Sequence, residues 1–194
     1  MADFKNGIPA RPFVLVSGNR GKITEARLIA GADLPAAELD LPEIQSLDML
    51  EILRGKAAAA WAALQRPVVV EEAGLELVAL NGFPGPLVKW MLQATGAEGI
   101  ARVAEALGDP RAIARCQLLY KDGDEEIVAE GVAEGTLVRP GRGSQGFGWD
   151  PVFLPAGETR TFAELDGLEK LAVSHRGRAW REMMRKLELR PSPT

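Results

Sequence analysis

Residues 13–30 read FVLVSGNRGKITEARLIA, which places an apolar run, a polar turn and an amphipathic segment in direct succession. The uninterrupted apolar run Phe13–Val16 predicts a strand that is buried on both faces. Ser17-Gly18-Asn19 ends this strand, and the spacing of apolar residues over Gly21–Ala30 predicts a helix that stops at Gly31. A buried strand that leads straight into a helix is typical of α/β proteins.

Further strands and helices follow along the chain. The apolar patterns predict helices over Met49–Leu64, Leu87–Ala94, Glu98–Leu107 and Gly177–Leu189. They predict strands over Val68–Val70, Leu75–Leu80, Arg111–Tyr120, Glu125–Val138 and Val152–Leu154. A capping-box signature joins Thr161 and Glu164. This mixture predicts an α/β fold with a mixed sheet, built as one domain over residues 1–194, in which residues 1–12 are a loose lead-in.

The composition excludes several classes of protein. Of 194 residues, 46% are hydrophobic and 26% are charged, which is typical of a globular domain and excludes intrinsic disorder. The net charge of −4 offers no basic field for nucleic acid. The longest apolar run, Ala57–Leu64, is far shorter than the roughly 20 residues of a transmembrane helix, and residues 1–11 contain no apolar signal-peptide core. We therefore expect a cytoplasmic enzyme that binds neither nucleic acid nor membranes.

A single cysteine and a single histidine restrict the metal chemistry. Cys116 cannot form an intrachain disulfide, and its apolar surroundings predict a buried thiol. His175 alone cannot build a zinc site of several His or Cys ligands. Any metal is therefore expected to be a hard cation such as Mg²⁺, held by carboxylate oxygens.

Three familiar catalytic motifs are excluded by their context. Residues 141–146 match GxGxxG, but FGWDP follows them where a dinucleotide site requires a helix. Residues 18–22, GNRGK, place the two glycines too close together for a P-loop. No GxSxG elbow is present, because Arg142 lies two residues before Ser144.

Other segments carry groups that suit nucleotide chemistry. At residues 17–22, backbone N–H groups and a lysine at a helix start form a candidate anion site, although a capped helix with a solvated lysine has the same pattern. Glu71 and Glu72 end a predicted buried strand and point to opposite faces, so one is placed to bind a metal; two solvated carboxylates are the alternative. The glycines of GFGWDP, residues 146–151, admit a flat ligand on which an aromatic ring can stack. Together with the polar residues of 169–176, these are the parts of a nucleotide phosphohydrolase.

Four blocks of sequence resemble one known family. They are Ser17–Lys22 with Glu25; Val69–Leu75; Ser144–Pro151; and Thr161–Glu164 leading to Glu169-Lys170 and Ser174-His175-Arg176. In this order the chain resembles the inosine triphosphate pyrophosphatases, from Phe13 to about Leu187. Residues 81–90, NGFPGPLVKW, resemble a further block of that family.

The resemblance implies an elongated, two-lobed, mixed α/β fold. It also implies Mg²⁺-dependent hydrolysis of ITP, dITP and XTP to the monophosphate and pyrophosphate by a homodimer. By the same resemblance the triphosphate is held by Ser17, Asn19 and Lys22, and catalysis involves Glu72, Lys22 and Lys56. The metal-associated acids match Glu43 and Glu72. The base and the adjoining phosphate are expected to contact Phe147, Trp149, Asp150, Lys170, Ser174, His175 and Arg176.

The chain departs from the family pattern at three positions. Glu72 stands where the family usually has Asp, Ala73 where Ser or Thr is common, and Leu171 where Asn usually follows the lysine. The extra methylene of Glu72 moves its carboxylate by roughly an ångström, a displacement that can cost about 10²-fold in rate. Two alternatives therefore accompany the main interpretation: a nucleotide-binding protein with weak or lost hydrolysis, and a pyrophosphohydrolase for another modified nucleotide.

Overall fold

The computed structural model describes residues 11–189, and its centre is one mixed sheet of seven strands. The strands are β1 (Val14–Val16), β2 (Ala36–Ala37), β3 (Val68–Leu77), β4 (Pro84–Gly85), β5 (Arg111–Asp122), β6 (Glu125–Leu137) and β7 (Phe153–Pro155). Their order is β2-β1-β3-β5-β6-β7, with β4 paired to β3. Strand β1 runs parallel to β2 and β3, whereas the remaining pairs are antiparallel. The predicted α/β class with a mixed sheet is confirmed.

Five α-helices accompany the sheet within the described residues. They are α1 (Arg20–Ala30), α2 (Met49–Leu64), α3 (Val88–Ala106), α4 (Gly167–Val173) and α5 (His175–Leu189). The side chain of Asp48 caps α2 by accepting from the N–H groups of its first turn. Helix α3 contains the two predicted helices, which meet at Gly96, where φ is 68°. None of these helices is long and apolar enough to cross a membrane.

Helices cover both faces of the sheet, and the alternation of side chains along β3 connects the two layers. Val69 points into the core beneath α1 and α5, together with Leu15 and Trp180. Val68 and Val70 point to the opposite face, which α2 covers. Because successive side chains of a strand alternate, the next two residues of β3 must also face opposite layers. This alternation separates the two carboxylates of the candidate site.

The prediction of two separate strands at Val68–Val70 and Leu75–Leu80 was wrong. Strand β3 runs without a break from Val68 to Leu77, and a 3₁₀ turn follows over Val78–Leu80. The charged pair at its centre does not end the strand, because each carboxylate has cationic partners on its own face of the sheet. Strand pairing with β5 therefore continues past both of them.

Two other predictions concern the N-terminal lead-in and the single cysteine. Arg11, expected in a loose lead-in, is buried and forms an ion pair with Glu125; its guanidinium also lies over the ring of Tyr120. The rest of that lead-in, residues 1–10, lies outside the described residues. Cys116 is fully buried, as predicted, and burial raises the pKa of its thiol.

Candidate active site

A cleft of about 600 Å³ opens beside β1 and the middle of β3. Its walls come from the turn before α1, from α2, from the loop of residues 39–45, from the start of α3 and from residues 147–149. The predicted site residues on these walls are Ser17, Asn19, Lys22, Glu43, Lys56, Glu72, Phe147, Trp149 and Arg176. The other predicted site residues are buried behind the walls: Asp150, Lys170, Ser174 and His175. Contact of any of these residues with a substrate stays a prediction.

The turn before α1 presents hydrogen-bond donors to one end of the cleft. The side chain of Asn19 caps the helix by accepting from the backbone N–H of Lys22, and the N–H of Asn19 in turn donates to Ser17 Oγ at 3.1 Å. These bonds hold the turn in one conformation. A helix N-terminus with a partly exposed lysine in its first turn favours binding of an anion.

A chain of alternating charges lies at the other side of the cleft. Lys56 on α2 places its Nζ 2.5 Å from Glu72 Oε2 and 2.6 Å from Glu43 Oε1. Lys89 contacts the second oxygen of Glu43 at 3.1 Å. The hydrogen bond from Lys56 is the main reason why the pKa of Glu43 is lowered. Burial alone would lower the pKa of Lys56, but the two carboxylates outweigh it and the pKa is raised.

Behind the cleft, buried charges form a second network, which reaches the cleft wall at Arg176 and Glu71. Glu25 on α1 accepts from Lys170 Nζ at 2.7 Å and from Arg176 Nη1 at 2.6 Å. Arg176 Nε also donates to Glu71 at 2.9 Å, and Lys170 donates to Asp150 at 2.6 Å. Burial works against the charge of Glu71, but Arg176 and other donors outweigh it and lower its pKa. The network holds the cationic side chains of α4 and α5 in fixed positions.

Phe147 stands between this network and the open cleft. Its backbone N–H donates to Asp150 Oδ2 at 2.7 Å, and Lys170 Nζ lies 4.9 Å from the centre of its ring. Two glycines make room for this arrangement. A Cβ atom at Gly21 would lie 2.5 Å from two carbons of the Phe147 ring, and one at Gly146, where φ is 73°, would lie 2.1 Å from the Asp150 carboxylate. The ring is therefore a preformed aromatic platform.

His175 lies in an aromatic layer next to this platform. Its ring stacks between Trp149, at 6.3 Å, and Phe162, at 6.0 Å. Neither ring nitrogen has a hydrogen-bond partner among the described residues, and the same holds for Trp149 Nε1. Burial, reinforced by the positive charges of Arg176 and Lys170, lowers the pKa of His175 well below 6.5. His175 is therefore neutral in the folded protein at neutral pH.

The buried histidine is expected to make the protein less stable in mild acid. Below pH 6.5 the unfolded chain takes up a proton that folded His175 does not, so the free energy of unfolding falls as the pH falls, by at most about 1.4 kcal/mol per pH unit. In the variant His175→Phe this contribution should disappear, because no other histidine is present. Urea unfolding of both proteins at pH 7.5, 6.5 and 5.5 measures the difference. Equal pH slopes would contradict the prediction.

Glu43 and Glu72 are the side chains that could hold a metal ion. Among residues 11–189, no group of three or more His, Cys, Asp or Glu side chains is placed to hold one. Two carboxylates beside an open cleft nevertheless suit Mg²⁺, which is commonly bound by one or two carboxylates and completed by water and substrate phosphates. The donor set consists of hard oxygen atoms, and it therefore fits magnesium better than a soft metal.

Several residues that organise the site have no role that could be read from the sequence. Glu25 joins the two buried cations, and its place one helical turn after Lys22 was a signal that it faces the same region. Trp180 donates to Glu71, and it lies one turn after Arg176 on α5. No sequence signal indicated that Trp90 Nε1 donates to Gln45 Oε1 across the cleft, because these two residues are joined only by the tertiary fold.

Comparisons with known proteins identify the family of this chain. The sequence model of the Ham1 family matches residues 13–186. An inosine triphosphate pyrophosphatase of Batrachochytrium dendrobatidis (strain JAM81 / FGSC 10211) is 41% identical over 170 residues, covering 86% of this chain and 88% of the relative. One of Yarrowia lipolytica (strain CLIB 122 / E 150) is 41% identical over 172 residues, covering 86% and 90%.

Two solved structures have the same fold. A HAM1 protein from Coxiella burnetii superposes with a TM-score of 0.76 at 28% identity, over 91% of this chain and 98% of that one. A nucleoside-triphosphatase / dITP/XTP pyrophosphatase from Mycobacterium abscessus ATCC 19977 / DSM 44196 gives a TM-score of 0.64 at 31% identity, over 88% and 97%. With a family model over most of its length and relatives at 41% identity, this chain belongs to the Ham1 family.

Proposed function

We propose that this protein hydrolyses ITP, dITP and XTP to the nucleoside monophosphate and pyrophosphate, and so removes deaminated purine nucleotides. The observation that carries the proposal is the single cleft that is lined by a helix N-terminus with Lys22, by the pair Glu43 and Glu72, and by the Phe147 platform. Anion donors, metal-binding carboxylates and a stacking ring are the three groups that such a substrate needs. The names of the two fungal relatives support the same substrate.

The triphosphate is assigned to the end of the cleft at α1. Ser17 and Asn19 order the turn, and the backbone N–H groups at the start of α1 together with Lys22 neutralise phosphate oxygens. Lys56 lies on the opposite wall and supplies a second cation. Cleavage between the α- and β-phosphates places negative charge on both products, and cations on both sides of the bond stabilise that charge.

Magnesium is assigned to Glu43 and Glu72. When bound, it supplies neutralisation of phosphate charge and polarisation of the attacked phosphoryl group. Glu72 lies on β3, where it pairs with Gln117 of β5, and its carboxylate is the group that we assign to orienting or deprotonating the attacking water. Glu71 also borders the cleft, but its buried side chain is already paired with Arg176 and Lys22, so we assign the role to Glu72.

Base selection is assigned to Phe147 and Trp149. A purine stacks on Phe147, and the indole N–H of Trp149, which lines the cleft, has no protein acceptor among residues 11–189. Hypoxanthine and xanthine offer an oxygen at position 6, whereas adenine offers an amino donor. Leaving one buried donor unpaired costs about 1–3 kcal/mol, so adenine is rejected only when several contacts act together.

The assembly and location of the protein are also part of the proposal. A homodimer is proposed from the family resemblance, and the exposed rings of Phe83 and Trp90 mark a candidate contact surface. A cytoplasmic location agrees with the nucleotide substrate.

The deciding experiment is pyrophosphate release from ITP, XTP, dITP, ATP, GTP and dUTP, each with Mg²⁺ and with EDTA. We expect rapid, Mg²⁺-dependent release from ITP, dITP or XTP and little from ATP or GTP. Release from dUTP alone would favour the alternative of another modified nucleotide. Binding of ITP without any release would favour a nucleotide-binding protein whose hydrolysis has been lost.

A further inference from the structure

Lys56 is the only cation among the described residues that contacts both carboxylates of the proposed metal site. Its ammonium group lies within hydrogen-bonding distance of one oxygen of Glu43 and one of Glu72, and its side chain is only 17% exposed. Lys89 contacts Glu43 alone and is 64% exposed. Lys22 is paired with Glu71, on the other face of the sheet. One ammonium group therefore joins the two carboxylates that a metal ion would also need.

The charges of this cluster balance without a metal. Two carboxylates face two ammonium groups, so a divalent cation that approaches Glu43 and Glu72 meets a positive charge already in place. Like charges in a partly buried site repel each other strongly, because solvent screens them less than at the surface. Entry of the metal therefore requires that Lys56 leave at least one of its carboxylates.

Lys56 has one evident alternative partner. It lines the same cleft as Lys22 and the N-terminus of α1, where the triphosphate is assigned. A triphosphate in the cleft offers several anionic oxygens to the displaced ammonium group, so the cost of breaking its ion pairs is offset only when nucleotide is present.

We propose that Lys56 occupies the proposed metal site in the nucleotide-free protein and thereby makes binding of the divalent cation depend on binding of the nucleotide. This inference rests on the magnesium site proposed above and assigns Lys56 a second role besides phosphate neutralisation. Metal and nucleotide are then coupled, and each raises the affinity of the other by the same factor. The free protein holds little magnesium, and the complete site forms only around its substrate.

The test is a titration of the nucleotide-free protein with Mn²⁺ alone, followed by the EPR signal of free Mn²⁺. Lys56→Met removes the charge but keeps an unbranched side chain one atom shorter, and Lys56→Gln removes the charge but keeps a hydrogen-bond donor. We expect both variants to bind Mn²⁺ at least about tenfold more tightly than the wild type, since the competing ammonium is absent. Thermal unfolding of each variant verifies that it is folded.

Two control variants separate competition at the site from a general change of charge. Lys22→Met removes one positive charge from the same cleft, but the ion-pair partner of Lys22 is Glu71 and neither Glu43 nor Glu72. We expect this variant to change Mn²⁺ affinity by less than about threefold. The double variant Lys56→Met/Glu72→Gln should lose the gain in Mn²⁺ affinity, because it removes one of the two metal-binding carboxylates.

Equal Mn²⁺ affinities of the wild type and the Lys56 variants would overturn the inference. If the wild type nevertheless released pyrophosphate from ITP with Mg²⁺, the proposed function would stand and only the role of Lys56 would fall. If no variant bound Mn²⁺ and the wild type released no pyrophosphate, both proposals would be overturned.

Discussion

Replacing Glu72 with glutamine is expected to lower kcat for ITP by about 10²- to 10⁴-fold, the range usually lost when a general acid or base is removed. Glutamine keeps the size of the side chain and its hydrogen-bonding capacity, but it cannot accept a proton from water and is a weaker ligand for magnesium. The loss should appear in kcat more than in KM, because the phosphate and base contacts are elsewhere in the cleft. Steady-state pyrophosphate release measures it.

Two matched variants test whether the loss of activity is specific to the carboxylate of Glu72. Glu72→Asp restores the shorter carboxylate that is usual in the family, and we expect it to retain substantial activity. Glu76→Gln changes a carboxylate on the same strand and the same face, four residues further on, where its partner is Arg115. That control should stay within about twofold of the wild type. Full activity of Glu72→Gln would remove Glu72 from the mechanism.

The second large effect concerns stability. Glu71→Ala is expected to lower the free energy of unfolding by about 3–5 kcal/mol, the usual cost of removing one partner from a buried ion pair. The variant leaves Arg176 buried with only Glu25 as its carboxylate partner, and it takes the acceptor away from Trp180 Nε1. Urea unfolding followed by circular dichroism measures the change. A loss below 1 kcal/mol, within the range of a surface pair, would contradict the expectation.

A partly exposed carboxylate provides the comparison. Glu126 is 31% exposed and contacts Arg54 at 3.2 Å and Lys121 at 3.5 Å, and the arginine side chain is 59% exposed. Glu126→Ala should therefore cost no more than about 1 kcal/mol. The contribution of Glu71 also depends on pH. Because the pKa of Glu71 is lowered from 4.5 in the folded protein, its contribution is complete above pH 4.5 and is lost as the pH falls through the lower, folded value.

The alternation of side chains along a strand and the order of residue types in a turn predicted the local geometry well. The expectation that Glu71 and Glu72 face opposite sides of one strand is confirmed by their ion pairs, with Arg176 on one face and Lys56 on the other. The turn before α1 and its cap follow from the residue types at 17–22. These features depend only on neighbouring residues, and the periodicity of strands and helices fixes them.

The burial of charged side chains could not be predicted from the local sequence in the same way. Lys170 and Arg176 are charged, and nothing in their local sequence distinguishes a solvated lysine from one that is 2% exposed. Their burial depends on Glu25, which is 145 and 151 residues away along the chain. The uninterrupted strand β3 was missed for a related reason: two adjacent glutamates usually end a strand, and here distant cations stabilise them within it.

The buried network has a consequence for the order in which the protein is made. Glu25 and Glu71 leave the ribosome with the first strands, whereas Lys170 and Arg176 belong to α4 and α5, which follow every strand of the sheet. Because synthesis proceeds from the N-terminus, Glu25 and Glu71 lack their principal counter-ions until α4 and α5 pack against the sheet. An incomplete chain can therefore neither position the cations of α4 and α5 behind Phe147 nor neutralise its own interior. We therefore expect the site to be complete only after α5 has packed against the sheet.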